Sequence, residues 1–379
     1  MLDTLIDRIR AAHEKNTPLI IQGGGSKRFY GNADEGEVLS TRKLTGVIDY
    51  QPKELVLTAR AGTPLAEIEA LLDAQNQMLA FEPPHFVPLP NPLPLAGEGA
   101  NDALCAPKPI YATLGGSIAA GLSGPRRPYA GAARDFVLGV RMIDGTGQPL
   151  RFGGQVIKNV AGYDVSRLMV GALGTLGLLT EVSLKVLPKP ATEATLQFEL
   201  DEAAAILKMN QWAGQPLPLS ATSWHAGLLT VRLSGAASAV RVAQVRLGGE
   251  ILNDAAVFWQ RLRDLATPFF DKCPPTSNQI LWRLAVKPTT PPLNLGDAQW
   301  IEWGGAVRWL ARDLPVNILR EAARNAGGHA TLFRGGMPTA IHDGVFTPLA
   351  PAMLTLHRNL KQRFDPKGIF NHGRLYPDF

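Results

Sequence analysis

Three stretches of this chain carry residue types that a packed core does not ask for. The first runs from Pro18-Leu19-Ile20-Ile21 into Gln22, Gly23, Gly24, Gly25, Ser26 and Lys27. Consecutive glycines bring backbone within hydrogen-bonding reach of an anion, because no Cβ stands in the way. Successive N–H groups can then surround a phosphate. The second stretch, Ala112 to Pro125, holds Thr113, Leu114, Gly115, Gly116, Gly121, Ser123 and Gly124. Its run of small residues predicts backbone lying flat beneath a large ring system; the competing reading is close packing on the chain's own sheet. The third is Lys158-Asn159-Val160-Ala161-Gly162-Tyr163-Asp164, followed by Leu173-Gly174-Thr175-Leu176-Gly177-Leu178. There too, glycine before an apolar strand permits close approach to a ligand. Loops this far apart suggest one large cofactor held at several points.

The better-known phosphate loops do not match. Ser26 precedes Lys27, so the spacing of a nucleoside-triphosphate loop fails. Arg28 stands where a dinucleotide fingerprint wants glycine. Neither Cys105 nor Cys273 sits in a paired-cysteine motif, which argues against an iron–sulfur cluster, a structural zinc or a disulfide framework within this chain.

The elements that must position these loops read as follows. Leu2, Leu5, Ile6, Ile9 and Ala12 recur at helical spacing. Pro18 to Ile21 is a short buried strand, and Gly46–Tyr50 and Leu55–Ala59 read as strands of the same sheet. Thr63 is placed as the N-cap of a helix, with Pro64 in its first position. Residues 136–143 form a strand ended by the hairpin-like Asp144-Gly145-Thr146-Gly147, and residues 176–187 form another. Pro188-Lys189-Pro190 marks a domain boundary. Beyond it come strands at 194–200, 228–233, 280–286, 330–333 and one or two within 300–310. Helices are expected at 201–212, 236–247, 255–270, 315–326 and 349–364. Strands interleaved with helices suggest an α+β cap. The proline-rich run at 88–109 reads as a surface insertion, or as a partner-docking loop of polyproline conformation. No internal repeat is found.

The chain has 379 residues, 45% hydrophobic and 19% charged, enough to bury a sizeable core. A formal charge of +5 is spread thinly and reads as ordinary surface charge, ahead of attraction for an anionic substrate or partner and well ahead of nucleic acid. No apolar run reaches the ~18 residues of a membrane span, and no signal design opens the chain. The expectation is a cytoplasmic protein that meets the inner membrane only through partners.

Taken in order, these segments and the tail Asp365-Pro366-Lys367-Gly368-Ile369-Phe370-Asn371 resemble the FAD-binding domain of the vanillyl-alcohol oxidase family, the PCMH type. Gly124-Pro125-Arg126-Arg127-Pro128-Tyr129, Lys158–Asp164 and the short cap are similar to one branch, the FAD-binding E subunit of bacterial glycolate oxidase. The resemblance implies an α+β fold: an FAD domain of two α/β subdomains at 1–190, a cap at 191–345, and a tail at 346–379 returning to the flavin. It implies FAD held by the first loop at its pyrophosphate, with the second loop and the Gly174-Thr175-Leu176-Gly177 strand around the rest. Family members that bind FAD covalently use a His in the first loop or a nearby Cys; this loop has no His, so non-covalent FAD is implied. The implied reaction is oxidation of glycolate or D-lactate to the 2-oxo acid. The implied partners are a homologous larger FAD subunit and an iron–sulfur subunit.

Arg127 and Arg134 are candidates for the substrate carboxylate, since guanidinium fits it bidentately. Asn371 and His372 complete the catalytic candidates; His372 stands where the family tail commonly has proline. Relatives acting on 2-hydroxy acids carry a His-x-His metal motif in the cap. This cap offers only the unpaired His225, His329 and His342, so no metal site is expected. The isolated chain is then expected to turn over glycolate poorly. Three readings stay open: a subunit passing electrons to an iron–sulfur partner, a self-sufficient FAD oxidoreductase for another small alcohol, and an FAD-bearing or structural subunit whose larger homologue does the chemistry.

Overall fold

Helix α1 (Leu2–Lys15) buries Leu5, Ile9 and Ala12 along one face, as its spacing predicts. It stops at Asn16, whose φ of 56° is a left-handed conformation that asparagine tolerates. The computed structural model describes residues 1–86, 111–154, 164–274, 279–296, 299–335 and 344–377. The proline-rich run at 88–109, Cys105, Lys158–Tyr163 and His342 lie outside the described residues.

Strand β1 (Leu19–Gln22) pairs in parallel with β2 (Glu37–Ser40) in a sheet of its own. This corrects the expectation that β1 shares a sheet with β3 (Val47–Gln51) and β4 (Val56–Arg60). The chain's tail takes hydrogen-bonding groups of β1 instead. Leu19 N donates to Ile369 O at 2.7 Å, and Asn371 N donates to Leu19 O at 2.9 Å.

Helix α2 (Leu65–Asp73) starts after Pro64, which occupies the cap position. Thr63 does not cap it: its buried Oγ1 accepts from Gly46 N at 2.9 Å, pinning the approach to β3. Two-residue β5 (Gln77–Met78) follows. Then comes the largest departure from expectation. Residues of the second glycine stretch form helix α3 (Leu114–Ala120), with Thr113 as N-cap accepting from Gly116 N at 3.3 Å. A Cβ on Gly115 would press on Ala61, so the close-packing reading holds at that glycine.

Strands β6 (Val137–Ile143), β7 (Pro149–Gly153) and β8 (Leu178–Lys185) complete an antiparallel sheet of order β3-β4-β8-β6-β7. The turn between β6 and β7 is fixed by Asp144 Oδ1, which accepts from Thr146 N and Gln148 N, both at 2.9 Å. β9 (Leu187–Pro188) pairs with β5. Leu57, Leu65, Ile68, Leu72, Leu114, Ile118, Val182 and Leu184 join into one core between this sheet, α2 and α3.

The second half builds an eight-stranded antiparallel sheet. Its strands are β10 (Thr192–Glu199), β11 (Leu219–His225), β12 (Leu228–Gly235), β13 (Glu250–Ile251), β14 (Leu281–Ala285), β15 (Gln299–Glu302), β16 (Val307–Ala311) and β17 (His329–Arg334). They lie in the order β13-β10-β12-β11-β15-β16-β14-β17. β11 is invisible to hydrophobic patterning, because Ser220, Thr222 and Ser223 fill inward positions. Their hydroxyls are satisfied inside the sheet: Trp300 Nε1 donates to Ser223 Oγ at 2.7 Å, and Gly304 N donates to Thr222 Oγ1 at 2.9 Å. The helix expected over 255–270 is two pieces, Ala255–Arg263 and Pro268–Asp271. Leu265 at φ 50° and Pro268, which has no N–H to donate, break it.

Glu82 and Arg126 tie the halves together. Arg126 Nη2 donates to Glu193 Oε1 at 2.6 Å, and Arg232 Nη2 donates to Glu82 Oε1 at 2.8 Å. The C-terminal helix (Pro351–Phe364) returns the chain to the first half. Buried Lys361 donates from Nζ to Thr175 O, Asp365 Oδ2 and Phe370 O, each at 2.8 Å.

Candidate functional site

β1, α3, the segment 169–179 and the tail meet around one groove. It consists of two adjoining hollows of about 500 and about 520 Å³. Ile21, Gly23, Gly116, Ala119, Leu173 and Asn371 line both. The inner hollow continues to apolar Ala61, Met169, Leu176 and Leu179. The outer one continues along Gln22, Gly24, Gly25, Ser26, Lys27, Arg28, Thr113 and Arg374. One end suits a flat apolar ring and the other suits anionic groups.

The orientation of the first loop follows from Arg42. Its Nε and Nη2 donate to the carbonyls of Gly23 and Gly24 at 3.3 and 2.8 Å. In a trans peptide the C=O and the following N–H point in opposite directions. Drawing both carbonyls toward Arg42 therefore places the N–H groups of Gly24 and Gly25 on the side of the loop away from Arg42, and Gly25 bridges to Tyr111 in parallel. Gly24 is required for a second reason: a Cβ there would collide with the carbonyl oxygen of Tyr111. A Cβ on Gly23 would collide with Thr113 Oγ1. The glycines thus let the loop lie on the segment entering α3 as well as leaving room for a ligand.

The tail holds the groove's other edge. Asn371 Oδ1 accepts from Ile21 N at 2.7 Å, and its Nδ2 donates to Leu173 O at 2.6 Å. Arg374 reaches Arg28 O and Tyr30 O at 2.9 and 2.7 Å and pairs with Asp34 at 3.1 Å. Lys27 Nζ sits 5.6 Å from the centre of the Phe86 ring. Burial pushes this ammonium down to about 7, with Asp264 pulling the other way.

Phe86 also walls a small, partly open cavity between the two halves. Ser123 and Gly124 line it from the first half, and Arg283, Glu302, Trp303 and Trp309 from the second. Glu302 is buried, and its carboxyl is raised to about 7 by that burial, against the Trp309 hydrogen bond and the Arg283 charge. Behind Arg283 and Trp303 lies a wider, open cleft. Arg127, Arg134 and His329 face it, and no carboxylate among the described residues lines it. Arg127 stacks 4.4 Å from the Trp303 ring centre; its guanidinium is lowered first by burial and then by Arg283, while exposed Asp135 opposes.

The sequence-predicted residues therefore divide. Gln22, Gly23, Gly24, Gly25, Ser26, Lys27, Thr113, Gly115, Gly116, Gly174, Gly177 and Asn371 come together around the groove. Leu114 and Leu178 face the core instead. Gly121 ends α3 against Gly171. Thr175 is buried, its Oγ1 donating to Ala172 O at 2.7 Å. Ser123 and Gly124 belong to the neighbouring cavity. Arg127 and Arg134 share the cationic cleft, while His372 is exposed and lines none of these hollows. His225 stacks on Trp300 at 4.4 Å, and its Nδ1 lies 2.8 Å from Gln299 O. Among the described residues, no group of three or more His, Cys, Asp or Glu is arranged to hold a metal ion. Arg42, Arg374, Arg283 and Glu302 escaped sequence reading. Lone charged residues in strands and loops carry no spacing signal; only buried charge within the fold reveals them.

Comparison with known proteins adds to this geometry. The FAD binding domain family model matches residues 2–89. Over 374 residues the chain is 45% identical to glycolate oxidase subunit GlcE of Escherichia coli strain K12, spanning 99% of this chain and 97% of that protein. It is 29% identical over 196 residues to glycolate oxidase subunit GlcD of Bacillus subtilis strain 168, spanning 51% of this chain and 37% of that one. Among solved structures, p-cresol methylhydroxylase with substrate bound superposes with a TM-score of 0.65 at 14% identity, covering 100% of this chain and 88% of that one. That likeness concerns the fold alone. The groove has the make-up that FAD needs: the glycine loop and Lys27 line one end, apolar side chains line the other, and small residues lie between. No helix among the described residues is long and apolar enough to cross a membrane.

Proposed function

Because the chain belongs to the PCMH-type FAD-binding family, in the branch of glycolate oxidase subunit GlcE, we propose that it is the FAD-bearing subunit of a glycolate oxidase complex. In this reading it oxidises glycolate or D-lactate to the 2-oxo acid, and the electrons pass to a partner iron–sulfur subunit. The chain is an FAD-dependent oxidoreductase of CH–OH donors. Bound FAD supplies the two-electron acceptor, and the protein supplies position and field. The amides of Gly24 and Gly25, with Lys27, would hold the pyrophosphate. Met169, Leu176 and Leu179 would flank the adenine. Asn371 keeps the tail closed over the groove. Residues 1–190 form the flavin-binding part, and 191–345 the cap that faces it.

One observation carries the catalytic part of this reading. A partly open cavity with a guanidinium and a carboxyl adjoins the groove through Lys27 and Phe86. Arg127 and Arg134 in the cleft outside it would draw in a carboxylate. A second reading leaves the chemistry to a homologous larger FAD subunit. It is favoured by the similarity of this chain to a second glycolate oxidase subunit, GlcD, at 29% identity over 196 residues.

Anaerobic rapid mixing of the flavin-loaded chain with glycolate separates the two. The first reading expects the flavin band to bleach at an enzymatic rate, ~1–1000 per second. A flavin left oxidised by excess glycolate would move the chemistry to the partner.

A further inference from the structure

Resting on that reading, we propose that the cavity walled by Arg283 and Glu302 binds a small 2-hydroxy or 2-oxo monocarboxylate, its carboxylate on Arg283 and its 2-oxygen on Glu302. Glu302 ends β15 and is 4% exposed. Its Oε1 accepts from Trp309 Nε1 at 2.7 Å, and Oε2 has no donor among the described residues. Arg283 projects from β14. Among the described residues it forms no ion pair, and its Nε is buried without a hydrogen-bond partner. The Tyr30 hydroxyl approaches its guanidinium, and the rings of Trp303 and Trp309 lie 4.9 and 5.6 Å from it. The other walls are largely apolar, among them Phe86, Leu122 and Phe333. Enclosing a guanidinium and a carboxyl here without full hydrogen bonding is costly. A ligand with a carboxylate and an adjacent oxygen completes both, since a guanidinium takes a carboxylate through two parallel hydrogen bonds.

The charges around Glu302 fix its behaviour. Burial raises it; Arg283 opposes this, and Glu82 adds to it. Arg263 also lines the cavity but is engaged by Asp264 at 2.8 Å, and Lys27 reaches only the Phe86 wall. An arriving carboxylate adds negative charge and raises Glu302 further, so the ligand binds together with a proton. Protonated Glu302 donates to the oxygen of a 2-oxo acid. Ionised Glu302 accepts from a 2-hydroxyl group through Oε2; with FAD bound as the two-electron acceptor for the α-hydrogen, that oxygen would hold the hydroxyl proton. Affinity for a 2-oxo acid should then fall about tenfold per pH unit above 7.

The test is calorimetric titration of glyoxylate into the oxidised, FAD-loaded chain, at pH values on both sides of 7 and in two buffers of different protonation enthalpy. Tryptophan fluorescence provides a second readout through Trp303 and Trp309. The proposal expects proton uptake on binding at neutral pH. Glu302→Gln should still bind, without proton uptake or pH dependence. Arg283→Met should lose at least about tenfold in affinity with flavin content unchanged, the loss of a charge-assisted pair. If Glu302→Gln loses its flavin, Trp309→Phe replaces it: removing the donor to Oε1 should move the pH midpoint upward, and an unmoved midpoint overturns the proposal. Unaltered pH dependence in Glu302→Gln, or unweakened binding in Arg283→Met, also overturns it. Wild-type chain that bleaches with glycolate yet binds no glyoxylate overturns this site and leaves the proposed function standing. Chain that neither retains FAD nor binds glyoxylate overturns both.

Discussion

Lys27 makes the groove sensitive to pH. Its ammonium titrates near 7 in the fold, against 10.5 for an ordinary lysine. Because the folded value is depressed, Lys27 favours folding above 10.5, and that contribution is lost as pH falls through 7. An anion bound beside it reverses the balance and restores the charge. FAD binding should therefore take up a proton above pH 7, and its affinity should weaken as pH rises from there. Fluorescence titration of apoprotein with FAD measures this directly. Lys27→Met should bind FAD more weakly with the slope gone; an unchanged slope would mean that Lys27 does not face the phosphates. At this scale the sequence was legible where glycine marks a close approach. It was silent on Arg42, which orients the loop, because nothing in its spacing distinguishes it from a surface arginine. Nor does the place of His372 in the tail motif say which way its exposed side chain leaves the backbone.

Among the elements, the tail matters most. Asp365 is 1% exposed, accepts from Ile369 N at 3.0 Å and Phe370 N at 2.8 Å, and pairs with buried Lys361 at 2.8 Å. Those bonds set the course that brings Asn371 onto Ile21 and Leu173. Asp365→Asn leaves the Lys361 charge buried and uncompensated, a loss of about 3–5 kcal/mol. Urea denaturation of the apoprotein should show that drop, and the folded fraction should retain less FAD. A variant as stable as wild type would show that the tail does not depend on this pair. The strands of the large antiparallel sheet were mostly readable from apolar runs. β11 was not, because its serines and threonines are satisfied by neighbouring strands that patterning cannot see. α3 was missed for a related reason: glycine and small residues discourage helix locally, but packing on Ala61 and the Thr113 cap hold it.

For the molecule as a whole, strands interleaved with helices pointed to the α+β class, and the return of the tail to the first loop was implied by the resemblance to the PCMH-type family. The cavity between the halves was not. It depends on Phe86, Arg283, Glu302 and Trp303 being brought together by strands far apart in sequence. The central claim is that this groove carries FAD held by hydrogen bonds and charge alone, with no His in the first loop to form a covalent link. Acid precipitation of the purified protein, with flavin measured in supernatant and pellet, tests it most directly. The account predicts FAD recovered in the supernatant at one molecule per chain. Flavin retained in the pellet, or protein that never carried any after incubation with FAD, would contradict it.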